Sequence, residues 1–197
     1  MSKRFLLFGE RPFEDHAHDK FRLISSAIER VSDVEAVMYK DSFDEWVQRT
    51  VSSYRFAKLE ISFENKIVDL LDKIIHSRIR YFAEYSLIVE GDTYFLGLSP
   101  GDLSFLPMRL PVEVKGNVLS FEIDTRHDDE ELSEEATALV RAEYQRIKEF
   151  ITDTLEHLNR TIEFHNSELE KFVIPQLARK LRKADRCLKI KESLNFK

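Results

Sequence analysis

The sequence predicts an α+β protein, in which a mainly antiparallel twisted sheet with flanking helices is followed by a long C-terminal helical hairpin or arm. Up to about residue 124, segments with apolar residues at helical spacing alternate with segments typical of strands. The last 73 residues contain no glycine and only one proline, which favours long helices. We therefore expect a sheet body over residues 1–125 and a helical hairpin or arm over residues 126–197, packed on the body or projecting from it.

Within the body, both helical and strand-like spacings occur. Helices are expected over residues 17–31, from Ser42 onward, where Ser42 and Glu45 have capping-box spacing, and over residues 67–75. Strands are expected over residues 34–39 and 55–63, over 81–98 around a turn at Glu90-Gly91-Asp92, and over 111–124, while residues 4–8 fit either a short strand or a buried tail. The segment over residues 111–124 predicts a tight hairpin, with Gly116-Asn117 supplying the positive φ angles.

The arm is expected to contain two helices. A stripe of apolar residues predicts the first over residues 128–164. Ser167 and Glu170 have the spacing of a second capping box, so we expect a break near residues 165–167. Pro175 should then lie in the first turn of the last helix or kink it. The spacing leaves open whether the helices pack as a hairpin or extend.

Composition excludes several classes of protein. The hydrophobic fraction of 43% is enough for a sizeable core, and the net charge of −6 argues against bulk attraction to nucleic acid or an anionic membrane. A single cysteine, Cys187, excludes an intramolecular disulfide framework and a cysteine-only zinc site. No apolar run approaches the ~18 residues of a membrane span. We expect a soluble cytoplasmic protein without a membrane partner.

Charge is unevenly distributed along the arm. Residues 171–197 carry nine basic residues against two acidic ones, a net of +7, which leaves −13 on the rest of the chain. Acidic residues in the first turn of a helix and basic residues in its last turn both interact favourably with the helix dipole, which explains part of this pattern. The alternatives are contact with nucleic acid or with the acidic surface of a protein partner. The candidate interaction residues are Arg179, Lys180, Arg182, Lys183 and Arg186.

One pattern suggests catalysis. Glu113-Val-Lys115, with Asp92 or Asp102 upstream, has the residue types of a PD-(D/E)xK nuclease, in which two carboxylates hold Mg²⁺ and the lysine assists the attacking water. Because Lys115 directly precedes the Gly116 turn, an ordinary exposed hairpin explains the same pattern. His16 and His18 lack a third metal ligand at a defined spacing. No glycine-rich phosphate loop, nucleophile elbow or zinc spacing is present, so we expect no cofactor and no resident metal.

Residues 84–197 carry a series of features in a fixed order. The series comprises residues 89–96 (VEGDTYFL), 99–100 (SP), 110–121 (LPVEVKGNVLSF), 164–170 (FHNSELE) and 178–183 (ARKLRK), with the long helix between the third and fourth. This order resembles a poorly characterised N-terminal module of bacterial multidomain proteins associated with anti-phage defence. The resemblance implies a separate effector domain after the basic helix, and it carries over no catalytic residue.

The sequence therefore favours a non-enzymatic bacterial module for sensing, scaffolding or self-association, with the helical arm as its contact surface. A protein partner or a second copy is the expected partner. The two alternatives are the magnesium-dependent nuclease and nucleic-acid binding through the basic helix.

Overall fold

The structure is a computed structural model that describes residues 2–9, 11–101, 108–127 and 131–194. The chain forms two compact units, and each consists of two stretches of sequence. Unit 1 comprises Met1–Phe13 and Ala57–Arg160, and unit 2 comprises Glu14–Phe56 and Thr161–Lys197. The expected boundary at residue 125 follows the change from strands to helix, whereas the compact units follow packing, so each unit takes part of the last helix.

The described residues contain seven strands, four α-helices and one 3₁₀-helix. In chain order they are β1 (Lys3–Leu6), β2 (Arg11–Pro12), α1 (Phe13–Arg30), α2 (Asp33–Met38), α3 (Phe43–Tyr54), β3 (Glu60–Ile75), β4 (Arg78–Glu90), the 3₁₀-helix (Thr93–Gly97), β5 (Leu98–Ser99), β6 (Pro111–Lys115), β7 (Val118–Asp124) and α4 (Glu134–Leu194).

Unit 1 contains a five-stranded antiparallel sheet in the order β1-β6-β7-β4-β3. This sheet and the helices confirm the α+β class. The hairpin predicted over residues 111–124 is present as β6 and β7, with Gly116 at a φ of 62° in its turn. A separate short pair, β2 and β5, is parallel.

The two faces of the sheet have different surroundings. On one face, Tyr85 and Phe121 stack with Tyr144 of α4, with ring centroids 4.4 Å and 6.4 Å from that of Tyr144. Burial raises the pKa of the Tyr85 and Tyr144 hydroxyls. The other face carries ion pairs between strands, including Arg80–Asp124 at 3.4 Å. One apolar and one polar face is the usual arrangement for an antiparallel sheet.

Unit 2 is built from helices. Its core joins α1, α2 and α3 to the second part of α4, and Trp46, the single tryptophan of the chain, stacks on Tyr39 at 4.8 Å. The buried members of this core are Ile24, Ile28, Ala36, Trp46, Val47, Val51, Leu169, Val173, Leu177 and Ala184. The helices expected over residues 17–31 and from Ser42 onward are present as α1 and α3. The capping box predicted at Ser42 is not formed, because the Ser42 side chain makes no capping hydrogen bond.

The helix expected over residues 67–75 is wrong, because these residues belong to β3. Their apolar positions fit a helical period, since β3 carries apolar residues on both faces. The strand is instead fixed by its antiparallel register with β4, which runs from Ile67 opposite Ser86 to Ile75 opposite Arg78. A two-residue turn at His76-Ser77 closes this hairpin, with both residues at positive φ.

Two strand predictions are also wrong. Residues 34–39 lie mainly in α2, whose first turn is capped by the Ser32 hydroxyl accepting from the Glu35 N–H at 3.1 Å. After the turn at Gly91, the 3₁₀-helix replaces most of the second expected strand, because the Asp92 carboxylate accepts from the Tyr94 N–H at 3.0 Å. Local capping hydrogen bonds therefore override a β-rich composition in both places.

The break expected near residues 165–167 is absent, since α4 runs without interruption from Glu134 to Leu194. The Ser167 hydroxyl does not cap a new helix; it donates to the Phe164 carbonyl within α4 at 2.7 Å. Pro175 lies inside the helix, where it offers no N–H to the carbonyl of Lys171. The described structure therefore contains one long helix and no helical hairpin.

Two asparagine side chains of α4 bind the extended chain that precedes β3. In unit 1, Asn159 accepts from the Leu59 N–H at 3.0 Å and donates to the Leu59 carbonyl at 2.8 Å. In unit 2, Asn166 makes the same pair of hydrogen bonds with Phe56, both at 2.9 Å. Each amide therefore satisfies two backbone groups that lack a strand partner.

Candidate functional site

The outer edge of β3 is the candidate site. In the sheet, β3 pairs with β4 on one side, and no strand of the described residues pairs with it on the other. The pairing is irregular between Ser62 and Ile67, then regular through the nine residues from Ile67 to Ile75. An edge strand of this length offers a row of backbone donors and acceptors to another strand.

The hairpin turn determines which residues of β3 face this open edge. In a two-residue hairpin, the residues that flank the turn, here Ile75 and Arg78, form a hydrogen-bonded pair. Hydrogen-bonded pairs then alternate along the ladder, so the intervening residues direct their N–H and C=O groups away from β4. These residues are Val68, Leu70, Asp72 and Ile74.

The edge also exposes large apolar side chains. Ile67 is 62% exposed, Val68 48%, Leu70 45% and Ile74 78%. Ile79, opposite Ile74 on β4, is 50% exposed. Isolated exposed apolar residues need no explanation, but a group of them on one unpaired strand edge is typical of an interaction surface.

Two residues of opposite charge, Asp69 and Lys73, interrupt the apolar sequence of β3 and lie on one face of the sheet. Asp69 and Lys73 share the face opposite to that of Val68 and Leu70, because side chains alternate along a strand. Lys73 forms an ion pair with Glu122 of β7 and lies 5.0 Å from the centre of the Phe82 ring. The Lys73 ammonium is therefore held in place on the open face of the sheet.

Three of the predicted nuclease residues, Asp92, Glu113 and Lys115, lie on other parts of unit 1. Glu113 accepts a hydrogen bond from the Arg4 Nε at 2.7 Å, and this bond is the main cause of the lowered pKa of its carboxyl. Lys115 is exposed beside the β6–β7 turn. Asp92 caps the 3₁₀-helix and lines a depression of about 450 Å³ with Lys3, whereas Glu113 lines a different depression of about 780 Å³. Asp102 lies outside the described residues.

Metal-ligand geometry is absent from the described ranges. Within them, no group of three or more His, Cys, Asp and Glu side chains is arranged to hold a metal ion. His16 contacts the Phe56 ring, with centroids 5.7 Å apart. The pKa of His165 is lowered mainly by burial, and His18 acts on it in the same direction.

The basic candidates of α4 are partly neutralised within unit 2. Arg179 approaches Glu29 of α1 at 3.5 Å, and Lys180 pairs with Asp33 of α2 at 3.2 Å with only 13% of its side chain exposed. The remaining three, Arg182, Lys183 and Arg186, are exposed. Part of the +7 charge is thus used for packing helices together, which reduces its attraction for an anionic ligand.

His165 gives a test of how unit 2 responds to pH. Its side chain is buried beside Phe21, and burial is the main cause of its lowered pKa, with Glu14 and Glu168 acting in the opposite direction. Below about pH 6.5, His165 is therefore protonated to a greater extent in the unfolded chain than in the folded one. The free energy of unfolding consequently falls as the pH drops towards the pKa of His165 in the folded state.

We expect the urea midpoint of unit 2, followed by Trp46 fluorescence, to decrease between about pH 7 and pH 5. His165→Gln should reduce this slope, whereas His157→Gln changes an exposed histidine of the same helix and serves as the control. If His165→Gln left the dependence of the urea midpoint on pH unchanged, His165 would not be the group that causes it.

Comparisons with known proteins add no relationship. No family model matches the chain, and neither the curated proteins nor the solved structures show a significant similarity to it. Among the helices of the described ranges, none has the length and apolarity needed to cross a membrane.

Proposed function

We propose that this protein is a non-enzymatic interaction module that self-associates or binds a protein partner through the exposed edge of β3. The observation that carries the proposal is the coincidence, on one strand, of unpaired backbone groups and exposed apolar side chains such as Ile67 and Ile74. Removing apolar surface from water contributes about 25 cal/mol for each Å², part of which offsets the entropy lost on association.

The geometry favours this edge over the helical arm as the contact surface. On α4, the exposed large apolar residues Leu139, Phe164, Ile174, Ile190 and Leu194 are scattered along the helix and are not joined to a backbone that can pair. On β3, each added hydrogen bond would be accompanied by apolar burial. The resemblance of residues 84–197 extends the proposal to a regulatory role in bacterial anti-phage defence, with the cytoplasm as its compartment.

Light scattering coupled to size exclusion tests the proposal on the full chain. We expect the mass to rise above that of the monomer with increasing concentration. Ile74→Lys should raise the dissociation constant by at least about ten-fold, roughly 1.4 kcal/mol, because a charge on the strand edge opposes pairing.

Leu194→Lys is the matched control, since Leu194 is 77% exposed and Ile74 is 78% exposed. It should leave the assembly unchanged. A strict monomer at every soluble concentration would rule out self-association, and loss of assembly in Leu194→Lys alone would move the contact surface to α4.

A further inference from the structure

We infer that β3 pairs with β3 of a second copy, antiparallel, with Leu71 on the two-fold axis. This inference rests on the proposed function, and it adds the identity of the partner and the register of the contact. Antiparallel self-pairing is the arrangement in which the same edge serves both copies, so it closes at two chains through this surface.

The backbone of β3 fits such a contact along its whole regular length. The regular segment begins at Ile67, after the irregularity, and ends at Ile75, before the turn, so its midpoint is Leu71. In a register centred on Leu71, each residue with outward-facing backbone groups meets another such residue of the copy. These hydrogen-bonded pairs are Val68 with Ile74 and Leu70 with Asp72, each occurring twice.

The side chains are complementary in the same register. Asp69 lies opposite Lys73 of the second copy, and this pair also occurs twice, on the open face of the sheet. Apolar residues meet apolar residues at Ile67 with Ile75, at Val68 with Ile74 and at Leu71 with itself. Opposite charges and apolar pairs at facing positions stabilise antiparallel strands. Leu70 opposite Asp72 is the one pair that joins an apolar residue to a charged one.

Neighbouring registers lose this complementarity. A register centred on Leu70 would place Val68 opposite Asp72. Registers centred on Asp69 or on Asp72 would place two identical carboxylates at the axis, where facing like charges are destabilising. The charge order of β3 therefore selects Leu71 as the centre.

The resulting dimer has a continuous sheet made of two five-stranded halves, joined at β3. The apolar side chains exposed at the edge become covered by their counterparts. Lys73 keeps Glu122 of its own chain as a partner while Asp69 of the second copy approaches.

Cysteine cross-linking tests the register in a Cys187→Ser background, which removes the single native thiol. Leu71 would lie opposite itself in a non-hydrogen-bonded pair, where the Cα atoms are about 4.5 Å apart and a disulfide can form. We therefore expect Leu71→Cys to give mainly a disulfide-linked dimer under mild oxidation.

Asp69→Cys and Lys73→Cys provide the matched pair. Each alone would place its own two thiols four residues out of register, about 13 Å apart along the strands, so neither should cross-link by itself. An equimolar mixture of the two should cross-link. Circular dichroism of each variant before oxidation verifies that the fold is retained.

The outcomes separate the inference from the proposed function. Assembly by light scattering without a Leu71→Cys cross-link would overturn the β3 register and leave the interaction module standing. A cross-link in Asp69→Cys alone would overturn the register in favour of one centred on Asp69. A strict monomer would overturn both.

Discussion

Gly91→Ala is expected to destabilise unit 1 by about 2–6 kcal/mol. Gly91 has a φ of +103°, which an L-residue adopts only with strain of about 1–3 kcal/mol. A Cβ atom at this position would lie 2.3 Å from the Lys58 carbonyl oxygen and 3.3 Å from the Leu59 Cα. Relieving that overlap requires the backbone before β3 to move, and overpacking of this kind costs about 1–3 kcal/mol more.

Gly116→Ala is the control for the backbone angle alone. Gly116 also has a positive φ, of +62°, but nothing lies within 4 Å of its added Cβ. We expect it to cost only about 1–2 kcal/mol. Urea unfolding with amide exchange of β4 and β7 measures both variants, and equal losses would contradict the close approach at Lys58.

Asn159→Leu is expected to cost unit 1 about 2–6 kcal/mol. The substitution keeps a similar volume but removes both hydrogen bonds to Leu59, whose side chain is fully buried. It leaves one N–H and one C=O without a partner, and each such group costs about 1–3 kcal/mol when buried. Urea unfolding with amide exchange of β4 and β7 measures this loss of stability.

Asn159→Asp separates the two hydrogen bonds. Its carboxylate can still accept from the Leu59 N–H but cannot donate to the Leu59 carbonyl, so we expect an intermediate loss. Asn166→Leu makes the equivalent change at Phe56 in unit 2, and Trp46 fluorescence reports that unit. No change in either unit would show that these amides do not support the chain before β3.

The parts of the fold that depend on local chemistry were predictable. The β6–β7 hairpin follows from alternating apolar residues around Gly116, and α1 follows from apolar residues at helical spacing. The start of β3 falls within the strand expected over residues 55–63, but its continuation over residues 67–75 was not predictable from spacing, because apolar residues on both faces imitate a helical period. The concentration of Ile and Val over residues 67–75 was the signal for a strand.

The candidate site depends on non-local structure. Whether β3 is an edge or a central strand is decided by the order of the sheet, which places β4 between β3 and β7. The basic residues of α4 were identified from the sequence, but the pairing of Arg179 with Glu29 and of Lys180 with Asp33 joins residues far apart in the chain. Charge counts alone therefore overstated how much of this surface is available to a ligand.

The interleaved order of the two units limits how such a protein can be rearranged genetically. Unit 2 combines Glu14–Phe56 with Thr161–Lys197, and the larger stretch of unit 1 lies between them in the sequence. A deletion of residues 166–197 would therefore remove most of the part of α4 that belongs to unit 2 and would expose the core residues that pack against it. A single recombination crossover can neither transfer nor remove either unit whole, so the two are expected to be inherited together.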